Sequence, residues 1–600
     1  MLQDVSRALG EAPVLLDLAK HLRPRPLDTA DSLGARVENT AGRFPDHTAI
    51  IFEGRSLTWS DFNALSNRYA HALQAMGLGS GDAVSLFMEN RVEFLACLVA
   101  VAKLGAITAL INTNLSGRSL VHCIAITDSK LCVFGEERAA QVADVRNEGA
   151  LGTLTYLFVA DTGASPCPDW AGDLGDAAQR ADGRNPDSTA GVTIGDRALY
   201  VFTSGTTGLP KAGVMTHRRF LISSAMASAG GLRCDEHDCI YLCLPLYHGT
   251  GLFLGAGAAF NTGAAMFIRR RFSASAFLPE VREHGCTCFI YIGEICRYLL
   301  ATPEQQDDYA SPLTTVMGNG LRPDIWTAFK TRFGIRRVSE FYGSSEGNIG
   351  FINLLNRDCT IGTTTLPHTV VQYDVDNDEV IRDTSGRCIK AAHGEAGLLL
   401  GKITRHTQFE GYTSAEATES KILRDVYKPG DAWFNTGDLI RRIDVGFSLG
   451  LPHYQFVDRV GDTFRWKGEN VSTNEVGEIL NTHPQVHFCN VYGVEVPGTD
   501  GRAGMAALVL TKDCEDLDLD TLSALVHDQL PAYARPLFLR LLPAMDTTGT
   551  FKMLKGDLRR QGFDPGVVSD PLFVLKPGEQ RYVPLDSGFF DRIMAGDAGY

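Results

Sequence analysis

The sequence predicts an α/β protein: a large N-terminal domain of parallel-type sheets with helices plus a β-rich subdomain, then a small mobile α+β C-terminal domain. Three observations predict it. Short apolar strands alternate with amphipathic helices from about residue 46, the rhythm of βαβ units. A chain of 600 residues is too long for one core, so two or more domains are expected. A single glycine, Gly461, separates two charged clusters where the composition shifts, and a glycine there absorbs backbone rotation cheaply, as a hinge requires. The predicted domains are 1–459 and 460–600.

In chain order, residues 48–52 read as a strand, 58–76 as a helix and 82–88 as a strand. The longest apolar run, 94–111, contains Lys103 and Gly105 and reaches only the short limit for a membrane span. A buried helix ending near Lys103, then a buried strand, fits it better. Residues 160–185, rich in Asp, Gly, Ala and Pro, read as a surface excursion before a strand starting near Ala198. The rhythm resumes at 239–244, 264–267 and 289–291, while Val/Ile alternation over 371–403 marks the β-rich subdomain. Beyond Arg459 the sequence predicts a helix at 474–480, strands at 488–494 and 503–510, and a helix at 517–529. An extended tail is expected after Val574.

Composition narrows the function. A net charge of −15 argues against nucleic acid, which demands a basic face. An anionic ligand must therefore be met by a few local cations. The 14 cysteines show no C-x-x-C pair and read as buried reduced thiols, as in a reducing cytosol. Residues 1–10 lack the apolar core of a signal peptide. A soluble cytoplasmic protein is expected, with peripheral contact at the inner face of a membrane left open.

The most informative stretch is Tyr200-Val201-Phe202-Thr203-Ser204-Gly205-Thr206-Thr207-Gly208-Leu209-Pro210-Lys211. A β-prone run stops in hydroxyls and glycines and closes on a lysine. Glycines let backbone N–H groups crowd an anion, successive amides form a partly positive nest, and Lys211 adds a full charge. Phosphate binding follows, although such clusters are more often plain loops. Pro210 stands where the Walker pattern needs glycine. In Glu340-Phe341-Tyr342-Gly343-Ser344-Ser345-Glu346-Gly347, an aromatic followed by glycine suits stacking on a planar base, and Glu346 offers a carboxylate to Mg²⁺. The same letters fit the G-x-S-x-G nucleophile elbow, so a serine esterase of α/β-hydrolase type, using Ser345 with Asp438 and a later histidine such as His453, is a competing reading. Phe434-Asn435-Thr436-Gly437-Asp438 places a carboxylate suited to ribose hydroxyls, or else a plain Asx turn. Further on stand 458–471, around Gly461, and Thr547-Thr548-Gly549-Thr550-Phe551-Lys552.

Taken in order, these motifs resemble the adenylate-forming (acyl-CoA synthetase) superfamily over nearly the whole chain. Residues 462–476, Leu110-Ile111-Asn112-Thr113-Asn114-Leu115, Phe341-Tyr342-Gly343 and Gly549-Thr550-Phe551-Lys552 resemble its fatty-acid transport protein / very-long-chain acyl-CoA synthetase branch. The resemblance implies an ATP-dependent fatty acid–CoA ligase working through an acyl-adenylate, with ATP, Mg²⁺ and coenzyme A. Thr203, Ser204, Gly205, Thr206, Thr207, Gly208 and Lys211 would cradle the β,γ-phosphates. Tyr342 would stack on adenine beside Gly343, with Gly320 and Leu321 nearby. Ser345 would touch the α-phosphate, and Glu346 would hold Mg²⁺. Asp438 and Arg459 would bind ribose, and His248 would line the carboxylate pocket. Lys552 would bridge carboxylate and α-phosphate, and Gly468 would face the pantetheine tunnel. Gly461 stands where sister families place Asp or Lys, which implies a loosely latched hinge. Ser344-Ser345 replaces Ala-Thr but keeps the hydroxyl. The membrane helix of animal members is absent, so ligation is a stronger inference than uptake. The segments 252–254 and 289–292 read as acyl-pocket walls or as ordinary core. A ring-bearing acid such as a bile acid, and a monomer against a homodimer, stay open.

Overall fold

The apolar run at 94–111 folds as the buried helix Val92–Lys103, which exposes only Glu93 in part, and the fully buried strand Ile107–Leu110. Gly105 makes the turn between them with φ +68°, a conformation glycine adopts without a steric penalty. Lys103 stays in the interior because its ammonium donates to Asn63 and Asn67 and lies 3.1 Å from Glu38. Burial depresses its pKa to about 8. No helix among the described residues is long and apolar enough to cross a membrane. The computed structural model describes residues 10–21, 23–147, 149, 151–152, 154–203, 210–344, 347–374, 379–466, 469–499, 501–514, 516–545 and 555–600.

Two large sheets carry the N-terminal part. The first has seven strands, whose order along the sheet is Gly172–Asp173, Thr155–Val159, Ser129–Gly135, Ala83–Phe87, Ile107–Leu110, Arg197–Thr203 and Lys211–Thr216. All neighbours are parallel except the last pair, where Thr203 stands opposite Lys211. The second, of eight strands, runs through a parallel centre of Arg337–Gly343, Thr315–Asn319, Cys288–Ile292, Cys239–Leu242 and Ala265–Ile268. Helices cover both sheets, as parallel strands buried on both faces require. Trp59–Ala75 starts at a capping box between Thr58 and Asp61, the signal for a helix beginning there.

Residues 368–459 form the expected β-rich part, a five-stranded antiparallel sheet centred on Ala396–Lys402 and Ala432–Ile443. The strand His453–Arg459 pairs along the latter, with Asp438 opposite Arg459. Residues 464–598 build a hydrophobic core of their own around a mixed five-stranded sheet. The expected extended tail is instead part of this unit. Leu572–Leu575 and Tyr582–Pro584 add two strands, and Ser587–Met594 adds a helix, because Val574, Tyr582 and Ile593 are buried in that core. The excursion at 160–185 likewise carries a short helix, Leu174–Gln179, anchored by buried Leu174 and Ala178. All 14 cysteines are unpaired, and 11 of them are buried.

Candidate active site

A cavity of about 2540 Å³ opens where the parallel strands of the second sheet end, the usual place for ligands in open α/β sheets. Lys211, His248, Gly320, Leu321, Tyr342, Gly343, Asp438 and Arg459 all line it. The fold thus gathers eight of the predicted site residues, drawn from 249 positions of sequence, around one space. Ser204, Gly205, Thr206, Thr207, Gly208, Ser345, Glu346, Gly468 and Lys552 lie outside the described residues, as does the side chain of Thr203.

Tyr342 ends the strand Arg337–Gly343, and its hydroxyl donates to Asp438 Oδ2 at 2.6 Å. Burial, and then the Asp438 charge, hold that hydroxyl well above the usual tyrosine range, so it remains a donor. Its ring packs edge-on to Phe351 at 5.9 Å and at 28° to Phe456 at 6.3 Å. Asp438 is aimed by a kink in its strand. Gly437, at φ +74°, donates to Asn435 Oδ1, and the Asp438 N–H donates to Thr436 Oγ1. Arg459 Nε stands 3.9 Å from Asp438 Oδ1. A stacking ring, a carboxylate and a guanidinium therefore converge from three strands.

His248 belongs to Pro245-Leu246-Tyr247-His248, which the side chain of Asn90 clamps by bonding both Leu244 and Leu246 at 2.8 Å. Asn114 donates to the Tyr247 hydroxyl at 3.2 Å, which ties the segment to residues 112–114. Lys211 opens its strand with Nζ 5.6 Å above the Tyr412 ring. Of the segments expected to line an acyl pocket, only Phe253, Leu254 and Ile292 reach the cavity. Leu252, Phe289, Ile290 and Tyr291 are fully buried core instead: Leu252 lies in the π-helix Thr250–Ala256, and 289–291 lie inside a parallel strand covered on both faces. Leu15 and Leu18 of the N-terminal helix Ala12–His21, with Leu221, Ile222 and Met226 from 217–232, also line the cavity, and sequence reading missed them because neither segment carries a motif.

The geometry takes His453 out of the esterase reading. His453 pairs with Ile443 while Asp438 pairs with Arg459, so the two lie at opposite ends of one strand pair, roughly 16 Å apart at about 3.3 Å per residue. His453 is buried, bonds Leu451 O through Nδ1, and does not line the cavity. No histidine–carboxylate dyad can form from this pair.

Lys555, three positions beyond Lys552, also lines the cavity. Its ammonium donates to Thr473 Oγ1 at 2.9 Å and stands 3.8 Å from Asp462 Oδ2. Burial lowers its pKa, with Asp462 and Asp458 opposing the shift. Arg559 adds bonds to Gly461 O at 3.0 Å and to Asp462 Oδ1 at 3.2 Å. Asp462 thus ties the residues after Gly461 to the rest of the 460–600 part, a tie invisible in sequence because both cations lie about a hundred residues away. Among the described residues no cluster of three metal-ligating side chains forms. A Mg²⁺ that arrives on nucleotide phosphates needs only one or two protein carboxylates.

Residues 37–404 match the AMP-binding enzyme family, and 475–552 match the AMP-binding enzyme C-terminal domain. The chain belongs to the AMP-binding enzyme family. It is 40% identical to the medium/long-chain-fatty-acid–CoA ligase FadD6 of Mycobacterium tuberculosis, covering 98% of this chain and 96% of that one. Long-chain fatty acid transport protein 2 of Rattus norvegicus is 37% identical, over 99% of this chain and 95% of the relative. The crystal structure of the anthranilate CoA ligase AuaEII with anthranoyl-AMP shares the fold, at TM-score 0.75 and 20% identity, over 89% of this chain and 98% of that chain.

Proposed function

We propose that this protein is an ATP-dependent fatty acid–CoA ligase for long or very long chains, working through an acyl-adenylate. The convergence of Tyr342, Asp438 and Arg459 beside His248 and Lys211 carries this reading. The fatty-acid–CoA ligase relative supports the acid class. A cavity of about 2540 Å³ exceeds the roughly 300–1,000 Å³ of an ordinary ligand site, leaving room for a nucleotide and a long apolar chain. In the first half-reaction the fatty acid carboxylate attacks the α-phosphorus of ATP, and pyrophosphate leaves. In the second, the thiol of coenzyme A displaces AMP and forms the thioester.

Each side chain then has a task. Tyr342 stacks on adenine beside Gly320, Leu321 and Gly343, and Asp438 and Arg459 hold the ribose. The loop Thr203, Ser204, Gly205, Thr206, Thr207, Gly208, Lys211 takes the β,γ-phosphates, and Ser345 the α-phosphate. Glu346 holds the Mg²⁺ that accompanies ATP. His248 faces the carboxylate, and Gly468 faces the pantetheine arm. Lys552, in a mobile unit 460–600 that rotates against 1–459, neutralises the charge shared by carboxylate and α-phosphate. A cation placed there stabilises the transition state more than the ground state. Peripheral contact with a membrane surface would deliver the apolar acid.

Exchange of labelled pyrophosphate into ATP that depends on added long-chain acid tests the reading, and its absence would refute it. In Lys552→Ala, adenylation falls by about 10²–10³-fold while supplied acyl-adenylate is still converted to thioester. Equal loss of both half-reactions would remove that role from Lys552.

A further inference from the structure

Glu340 is 3% exposed and has no task in the scheme above, yet three hydrogen-bond donors converge on it. Its Oε1 accepts the N–H groups of Gly320 and Leu321, the latter at 3.2 Å, and its Oε2 accepts the hydroxyl of Tyr291. Tyr291 and Glu340 lie on strands either side of Thr315–Asn319, with Tyr291 opposite Gly318 and Gly318 opposite Glu340, and Gly320 and Leu321 follow the end of that middle strand. Residues 319–321 are confined from the other side as well. A Cβ built on Gly293 would lie 1.6 Å from Gly320 O, and Gly320 itself sits at φ +85°. The loop is therefore wedged between the backbone at Gly293 and the carboxyl of Glu340. Two residues along the same strand, and so on the same face, stands Tyr342.

We infer that Glu340 is a positioning residue for the nucleotide, holding the Gly320–Leu321 backbone at a fixed place beside Tyr342 so that a flat base fits between them. This rests on the reading of Tyr342 as the base-stacking residue. The bonding pattern needs one oxygen that accepts two N–H groups and a second polar atom facing a hydroxyl. Burial pushes the carboxyl up to about 8, so near neutral pH it keeps its proton. A glutamine then keeps the two backbone bonds, its carbonyl taking both N–H groups, and keeps the Tyr291 contact with the direction reversed, its amide donating to the hydroxyl oxygen. A leucine fills the space but leaves the buried Leu321 N–H and Tyr291 hydroxyl without their partner and releases the Gly320 N–H.

The test compares Glu340→Gln and Glu340→Leu in pyrophosphate exchange, titrating ATP and fatty acid separately, with calorimetric binding of AMP as a readout that needs no turnover. Glu340→Leu is expected to raise the ATP KM and the AMP Kd by about 10-fold or more, with the fatty acid KM within about 2-fold of the parent. Glu340→Gln is expected to stay within about 3-fold on all three. An unchanged ATP KM in a folded Glu340→Leu, a rise in both KM values alike, or a loss in Glu340→Gln equal to that of Glu340→Leu overturns the inference. If Glu340→Leu does not fold, Tyr291→Phe, which frees one side of the carboxyl, is expected to raise the AMP Kd about 3-fold, and no change there overturns it. A parent protein that shows no acid-dependent exchange sinks the adenylation reading itself, and the inference falls with it.

Discussion

Tyr342 and Asp438 stand 96 positions apart in the chain, and one hydrogen bond joins them at the centre of the cavity. That bond has a double effect. It fixes the angle of the ring, and it occupies one carboxylate oxygen while Arg459 stands by the other. Bonds to a charged partner are worth about 1.5–3 kcal/mol, so Asp438→Asn is expected to weaken ATP binding by about 10- to 100-fold, measured as the ATP KM in pyrophosphate exchange. The KM for the acid is expected to stay unchanged. Asp438 and Tyr342 were each legible as candidates from their own motifs, whereas the bond between them was not, because nothing local links the two motifs. Glu340 was in view within its motif, but its partners come from one other strand and from the loop that follows another.

Among the elements, the segment 458–462 joins the β-rich sheet to the C-terminal module. Asp462 is held by Lys555 and Arg559, which keeps Lys555 in the cavity and Lys552 close behind it in sequence. Such partly exposed pairs are worth about 0.2–1 kcal/mol each. Asp462→Asn is therefore expected to lower the ratio of adenylation to thioester formation by about 2- to 5-fold, with little loss of stability. Assays started from acyl-adenylate and from ATP separate the two rates, and an unchanged ratio removes the latch from the account. Gly461 itself is not required by its surroundings, since an added Cβ would meet nothing within 4 Å.

At the scale of the whole molecule, buried ionisable groups link stability to pH. His217 is fully buried, its Nδ1 accepts the N–H of Leu33 at 3.2 Å, and burial depresses its pKa to about 4. Above pH 6.5 folded and unfolded states are both neutral at this site. As pH falls from about 6.5 toward 4, only the unfolded chain takes the proton, so stability is lost there at about 1.4 kcal/mol per pH unit. His217→Asn keeps an acceptor without the titration, and its unfolding free energy is expected to fall less steeply over that window. The regular elements were legible because hydrophobic period is local: 48–52, 58–76 and 474–480 fall within a residue or two of the strands and helices observed. The end walls of the cavity, the latch on Asp462 and the packed tail after Val574 were not, because each depends on partners distant in sequence. By itself the sequence determined the order of α and β elements and offered the glycine- and hydroxyl-rich stretch closed by Lys211 and the other candidate letters, since spacing and residue chemistry are carried within short stretches. Only the tertiary structure decided which letters meet. It set Asp438 against Tyr342 and apart from His453, and it turned Tyr291 from an acyl-pocket wall into a partner of Glu340, because strand register and side-chain alternation are settled only when the sheets assemble.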